Sequence, residues 1–425
     1  MIDKSRRVTG PAGPRDTRRH NLSLVLREVV AAEASSRANL AEATGLTKAT
    51  VSSLVSELIE AGLLVEGGQD TAGRIGRPGL MLSLNGDSVA GIGLEINVDY
   101  LAVCVLDLLG RVRHRRVVRT DNRLSPPDEV INAVARLGRQ AIGKAEQQGM
   151  LPGGVTVAVP GLVELGEGTL LTAPNLGWRR MPLAAILAER MRRPAPKARI
   201  EHQPRVRIEN EANLGALGEL WEGRGRAWGD FCHISGEIGV GLGIVMGGAL
   251  LRGSGGLAGE FGHIQVDRDG PRCPCGSLGC LERLVGQEAL LATAGIDAEL
   301  ATSIGDPKDG GAAALVARAR AGDGRTLAAL AEAGDVLGAA CGTLVNLLNP
   351  ATIVLGGIFA PLAPWILEPF RDGLRRCSLA TRWQAPRVEV SELGPEAAVR
   401  GAASSALRDI LADPYLMPRG SKEVS

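Results

Sequence analysis

The stretch HIQVDRDGPRCPCGSLGCLE places one imidazole and three thiols, His263, Cys273, Cys275 and Cys280, within eighteen residues, with Gly and Pro between them to turn the backbone. Zn²⁺ favours four ligands in a tetrahedron, and one His with three Cys is among its closed structural sets. The single residue between Cys273 and Cys275 suits a shared metal and suits a disulfide badly. These four side chains are therefore the expected ligands of a structural zinc. Glu260 precedes the imidazole by three residues, and Glu282 follows the last thiol by two. Two acids thus flank a rigid loop, an arrangement fit for a polar, hydroxyl-rich ligand.

The elements that must position this loop have ample material. A chain of 425 residues with 45% apolar and 22% charged residues can build two or three globular cores. Aromatic residues are only 3%, so the cores must consist mainly of Leu, Val, Ile and Ala. The sequence has no run of eighteen apolar residues and no apolar N-terminus, which argues against a membrane partner or a secretion signal. Seven cysteines, three of them in the metal cluster, fit a reducing cytoplasm. Residues 1–16 read as a disordered basic arm.

The next stretch reads as a winged helix-turn-helix over residues 17–84. Leu22, Val25, Leu26 and Val29 form the stripe of an amphipathic helix. Ser36 can cap a second helix that stops at Thr44-Gly45-Leu46, where a glycine supplies the tight corner. Thr47 caps a third helix with Val51, Leu54, Val55 and Leu58 on its apolar face. Its other face carries Lys48, Thr50, Ser52, Ser53 and Ser56, short polar groups that let a helix lie deep in a major groove. Two strands, 63–66 and 80–84, flank a wing with Arg74 and Arg77. Thr47, Lys48, Thr50, Ser52, Ser53, Arg74 and Arg77 are the candidate contacts to double-stranded DNA. DNA readers of this kind work as homodimers or higher homo-oligomers on symmetric operators.

After a turn at Asn85-Gly86-Asp87, residues 91–118 read as a β-meander, and residues 230–251 repeat the theme. Helical stretches follow each, which predicts two similar α/β lobes with a cleft between them. This second unit spans 88–410, with a first lobe of about 88–208, a second of about 209–395 and a last helix packing back. A tail occupies 411–425.

From the helix-turn-helix to Gly401 the chain resembles the ROK family of sugar kinases and sugar-responsive repressors. The resemblance rests on Val159-Pro160-Gly161, Ala173-Pro174-Asn175-Leu176-Gly177-Trp178, Glu209-Asn210-Glu211-Ala212-Asn213, Gly239-Val-Gly-Leu-Gly243, Ala258-Gly-Glu-Phe-Gly-His263, the cysteine cluster, Asn349-Pro350 and Gly356-Gly357. It implies an α/β fold: a winged helix-turn-helix followed by a two-lobed, actin-like (ribonuclease-H-like) sugar-kinase body. It also implies that His263, Cys273, Cys275 and Cys280 hold the zinc, and that Asn210, Glu260, His263 and Glu282 bind sugar hydroxyls, with Glu211 beside them. The effector expected is a monosaccharide or a sugar phosphate.

The kinase equipment departs from the family pattern. Glu211 stands where the kinases carry the Asp that takes the proton from the sugar hydroxyl. The extra methylene moves the carboxylate by ~1 Å, a displacement that can cost about 10²-fold in rate. The first phosphate loop, Asp-x-Gly-Gly-Thr in the kinases, is matched by Glu95-Ile96-Asn97-Val98-Asp99, without glycine and with an added acid. In the second loop Ile238 stands where Thr is usual. A regulator that binds no ATP and has no catalytic residue is therefore expected. A bifunctional sugar kinase and a zinc-containing assembly module that binds protein are the alternatives. The loss at 95–99 counts against the first, and the polar third helix counts against the second.

Overall fold

The computed structural model describes residues 13–69, 80–164, 166–192, 203–297 and 311–417. Residues 1–12 of the basic arm, wing residues Arg74 and Arg77, and tail residues 418–425 lie outside the described residues. In chain order the first elements are α1 (Pro14–Ala32), β1 (Ala34–Ser36), α2 (Arg37–Thr44), α3 (Lys48–Glu60), β2 (Leu64–Gln69) and β3 (Leu80–Leu84). Helix α1 thus starts three residues before the expected boundary at 17. The Ser36 hydroxyl accepts from the Asn39 amide and Thr47 from the Thr50 amide, so both expected caps form. Gly45 turns the corner between α2 and α3 at φ +70°, a left-handed conformation that suits glycine. Leu22, Val25, Leu26, Val29, Val51, Leu54, Val55 and Leu58 are all buried. The strands pair antiparallel in the order β1-β3-β2, a winged helix-turn-helix.

The first lobe contains β4 (Val89–Ile96), β5 (Tyr100–Asp107), β6 (Val112–Arg119), α4 (Pro127–Gln147), β7 (Leu151–Val159), β8 (Leu162–Glu164), β9 (Thr169–Ala173), β10 (Trp178–Met181), α5 (Leu183–Met191) and β11 (Val206–Asn210). The second contains α6 (Glu211–Trp221), α7 (Gly225–Trp228), β12 (Phe231–Gly236), β13 (Val240–Met246), β14 (Ala249–Leu250), α8 (Glu282–Val285), α9 (Gln287–Ala294), α10 (Ala312–Arg320), α11 (Gly324–Leu348), β15 (Thr352–Gly357), α12 (Phe359–Cys377) and β16 (Arg387–Val390). A last helix, α13 (Ala397–Ala412), closes the chain.

The two lobe sheets share one topology. The first runs β6-β5-β4-β7-β11 and the second β14-β13-β12-β15-β16. In each, three strands form an antiparallel meander and two more join parallel to its first strand. The faint repeat in the sequence is therefore a structural repeat. β11 runs to Asn210, two residues beyond the expected end of the first lobe. Helix α11 has the length and apolar composition of a membrane span, at a mean hydropathy of 1.3, but it is packed in the core of the second lobe against Ile366, Phe370 and Leu374 of α12.

Helix α13 ties the parts together. It lies flush on β4 and on α6: a Cβ on Gly93 would sit 2.1 Å from the Val399 carbonyl oxygen, and one on Gly401 only 1.9 Å from that of Leu214. Its Leu407, Ile410 and Leu411 share one apolar core with Leu22, Val25 and Leu26 of α1 and with Tyr100 and Leu106 of β5. Arg19 of α1 pairs with Asp413 just beyond α13. Arg113 holds the Gly86 carbonyl (3.0 Å) and Asp87, fixing the turn between winged helix and body.

Candidate metal centre and ligand cleft

β14 leads into a glycine-rich loop that carries Glu260 and His263, and the cysteine hairpin follows before α8. Isolated bridges, Gln265 to Cys280 and Arg272 to Leu278, fold this hairpin back on itself. The ligand atoms of His263, Cys273, Cys275 and Cys280 all lie within 4.8 Å of one another. Cys275 Sγ and Cys280 Sγ are 3.7 Å apart, as are Cys273 Sγ and His263 Nδ1. Tetrahedral zinc bonds to sulfur and nitrogen would set these edges at about 3.8 and 3.6 Å. The four residues fit the ion. His263 turns Nδ1 to the thiols and Nε2 toward Glu260, 4.0 Å away. A metal on Nδ1 would fix the tautomer and leave Nε2–H as a donor. Glu282 accepts from the Cys273 thiol at 3.1 Å and lies 3.7 Å from His263 Nδ1.

A cleft of about 680 Å³, counting its open mouth, lies between the lobes. All five sugar candidates, Asn210, Glu211, Glu260, His263 and Glu282, line it. The sequence reading did not single out Asn97, Val98, Asn175 or Glu237 as cleft residues, and they line it too. Asn210 sits at the end of β11 and caps α6: its Oδ1 accepts from the Ala212 and Asn213 amides, and its Nδ2 donates to the Gly161 carbonyl. Glu209 beneath it accepts from Asn213 Nδ2 and pairs with Arg252 of the glycine-rich loop, bridging the lobes. Glu211 is half-buried, and its Oε2 reaches neither solvent nor a hydrogen-bond partner. Burial first, then the nearby Glu95, Glu260 and Glu282 carboxylates, push its pKa up to about 8.

The stretch that matches the first phosphate loop of the kinases is held by internal hydrogen bonds. Tyr100 donates to Glu95 Oε1 (2.6 Å), Asn97 Nδ2 donates to the Tyr100 hydroxyl, and Asn122 donates to the Asn97 carbonyl. Burial raises the pKa of Asp99 to about 6, against the opposing pull of Arg123 and Arg119. In the second loop the glycines serve packing. Cβ atoms on Gly241 and Gly243 would sit 2.6 and 2.4 Å from the Ala212 and Ala216 methyl carbons of α6.

On α3, Lys48, Ser52, Ser53 and Ser56 are exposed and Thr50 half-buried. Ser53 Oγ accepts from Arg18, which also pairs with Glu57. Arg18 is thus a cation beside the exposed polar face of α3 that the sequence reading did not assign there.

The sequence profile of the ROK family matches residues 91–409. The chain belongs to the ROK family. The profile of the MarR family matches residues 23–75 of this ROK protein, over the winged helix-turn-helix. The ROK chain is 32% identical over 407 residues to a putative xylose repressor of Caldicellulosiruptor sp., covering 93% of this chain and 97% of the relative. A solved ROK family transcriptional regulator, a homologue of the E. coli MLC protein, superposes with TM-score 0.73 at 25% identity over 94% of this chain and 98% of that one. A ROK glucokinase from Streptomyces griseus, solved with glucose and AMPPNP, gives TM-score 0.63 at 30% identity, covering 75% of this chain and 99% of the enzyme. The repressor likeness thus includes the DNA-reading domain, and the kinase likeness spans the lobes.

Proposed function

We propose that this ROK protein is a cytoplasmic, sugar-responsive transcription regulator, most simply a repressor of carbohydrate-utilisation genes, on a kinase fold that no longer transfers phosphate. The observation that supports the reading is a shared apolar core that joins the winged helix, with its exposed polar helix α3, to a body whose cleft is lined by amides and carboxylates. The DNA-reading unit is assigned to 17–84 and the sugar-binding body to 88–410. Thr47, Lys48, Thr50, Ser52 and Ser53 meet the major groove, and Arg74 and Arg77 the phosphates or minor groove, in a homodimer. Asn210, Glu211, Glu260, His263 and Glu282 bind the sugar, whose vicinal hydroxyls match paired acceptors and donors. Zinc, held by His263 and the three cysteines, supplies rigidity and fixes the imidazole. The similar putative xylose repressor makes D-xylose the first effector to test.

Sugar at the start of α6 bears on α13, and α13 bears on α1, so closing the lobes moves the winged helices of a dimer relative to each other. Coupling of this kind is worth ~1–3 kcal/mol, a five- to 150-fold change in operator affinity. Gel-shift titration on an operator selected from random DNA, with and without sugar, tests the reading. Glu260→Ala is expected to bind the operator and to ignore the sugar. A variant as responsive as the parent would move the sensing site elsewhere.

A further inference from the structure

Two residues outside the cleft lining, Glu209 and Arg252, connect its two halves. Asn210 closes β11 in the first lobe, whereas Glu260 and His263 lie on the glycine-rich loop of the second. Glu209, one residue before Asn210, is only 6% exposed, and both its carboxylate oxygens are engaged. Oε1 accepts from the Asn210 amide (2.9 Å) and from Asn213 Nδ2 (3.1 Å). Oε2 accepts from Arg252 Nη1. Arg252 opens the glycine-rich loop just after β14, and its own carbonyl accepts from the Ala258 amide (3.1 Å), two residues before Glu260. A bonded chain therefore runs from Asn210 through Glu209 and Arg252 to Ala258 and on to Glu260. The loop is already seated on its own lobe, since Gly259 packs so close to β13 that a Cβ there would lie 2.4 Å from the Leu242 carbonyl oxygen. What the Arg252 side chain adds is the tie to the first lobe.

We propose that Glu209 and Arg252 are positioning residues, an interlobe clasp that sets Asn210 against the loop carrying Glu260 and His263 and thereby sets the affinity for sugar. The clasp deepens the regulator reading and rests on it only for the ligand being a sugar. Neighbouring hydroxyls are held by donors and acceptors at fixed separations, so groups supplied by two lobes need a support that fixes one lobe to the other. Burial decides which interlobe contact gives that support. A second ion pair also crosses between the lobes, from Arg123 of the first to Glu288 of α9. Its side chains are 43% and 33% exposed, so water and salt screen it. Glu209 lacks that access to water, and its charge is left buried and uncompensated when Arg252 is removed. The two carboxylate oxygens also divide the roles: Oε1 orders the start of α6 within reach of Asn210, and Oε2 reaches across to the other lobe.

Calorimetry with D-xylose and D-glucose compares the parent with Glu209→Gln, Arg252→Gln, Arg252→Lys, the double Gln variant and Arg123→Ala. Gln at 209 keeps an oxygen for Asn210 and Asn213 and turns an NH₂ toward the guanidinium, donor against donor. Each single Gln variant is expected to bind the preferred sugar at least about tenfold more weakly. Arg252→Lys, which keeps the charge, should recover most of that loss. The double variant should be no weaker than the worse single, because the two residues act as one pair. Arg123→Ala should lose less than about threefold. Should Arg252→Gln fail to fold, Glu209→Gln carries the same comparisons. Hydrogen exchange without sugar gives a second measure: Arg252→Gln should speed exchange at both 209–213 and 252–263 and leave α3 as in the parent. Additive losses in the double variant, a Lys variant as weak as Gln, or acceleration confined to 252–263 or spread equally over α3 overturns the clasp. Failure of the parent to bind either sugar would count against the sugar reading instead, and the exchange pattern would still decide on Glu209 and Arg252.

Discussion

Glu211 and His263 face one cleft under different constraints, and each yields a measurable consequence. For Glu211 the folded value of about 8 lies above the ordinary 4.5. Between those values the folded protein holds a proton that the unfolded chain has lost, so this group makes stability fall as pH rises from 4.5 to 8. Glu211→Gln removes that slope. Its melting temperature relative to the parent should therefore rise steadily from about pH 5 to about pH 9; a constant offset would show that Glu211 is not held as an acid. For His263 the constraint would be a zinc held with the three cysteines. Protein made without added zinc should contain about one Zn²⁺ per chain by mass spectrometry of the metal, and Cys280→Ser or a chelator should lower both that content and the melting temperature. Folded, sugar-competent protein without zinc would end the assignment. Both residues could be named from sequence. That Nε2 rather than Nδ1 faces the cleft could not, because ring orientation follows from the fold of the hairpin.

At the scale of elements, α3 is legible because its cap, its apolar stripe and its polar face are local properties. Short polar side chains on an exposed face read base edges, each good contact being worth about 1–3 kcal/mol of discrimination. Lys48→Ala or Ser52→Ala should change which sequence is recovered from a random DNA pool, rather than weaken all sequences alike. An unchanged preference would place α3 outside the groove. β1 escaped the sequence reading because three residues, two of them serine, carry no alternation; only the partner strand β3 makes them a strand.

On the scale of the whole molecule, the winged helix is docked on the sugar-kinase body by a shared apolar core and by the Arg19–Asp413 pair. Helix α13 thus packs on both α6 at the cleft and α1 of the winged helix, and the proposed coupling would run through it. Arg19→Ala should leave sugar binding intact by calorimetry and reduce the sugar-induced change in operator affinity by about threefold or more, within the ~1–3 kcal/mol of typical coupling. Asp413→Asn should do the same, and the double variant should be no worse than either. Full coupling in all three would move the link elsewhere.

By itself the sequence determined what depends on neighbours along the chain: the caps at Ser36 and Thr47, the apolar stripes, the two meanders and the close spacing of the four candidate metal ligands. The family motifs extended this to five cleft residues lying on separate segments, and the fold brings all five to one cleft. The tertiary structure alone decided the rest. It set Glu211 among carboxylates, tied Glu95, Asn97, Tyr100 and Asn122 together by hydrogen bonds, and laid α13 between α6 and the winged helix. The reason is physical: a pKa, a filled cavity and a helix contact are set by neighbours far apart in sequence. Their distances exist only once the lobes have packed.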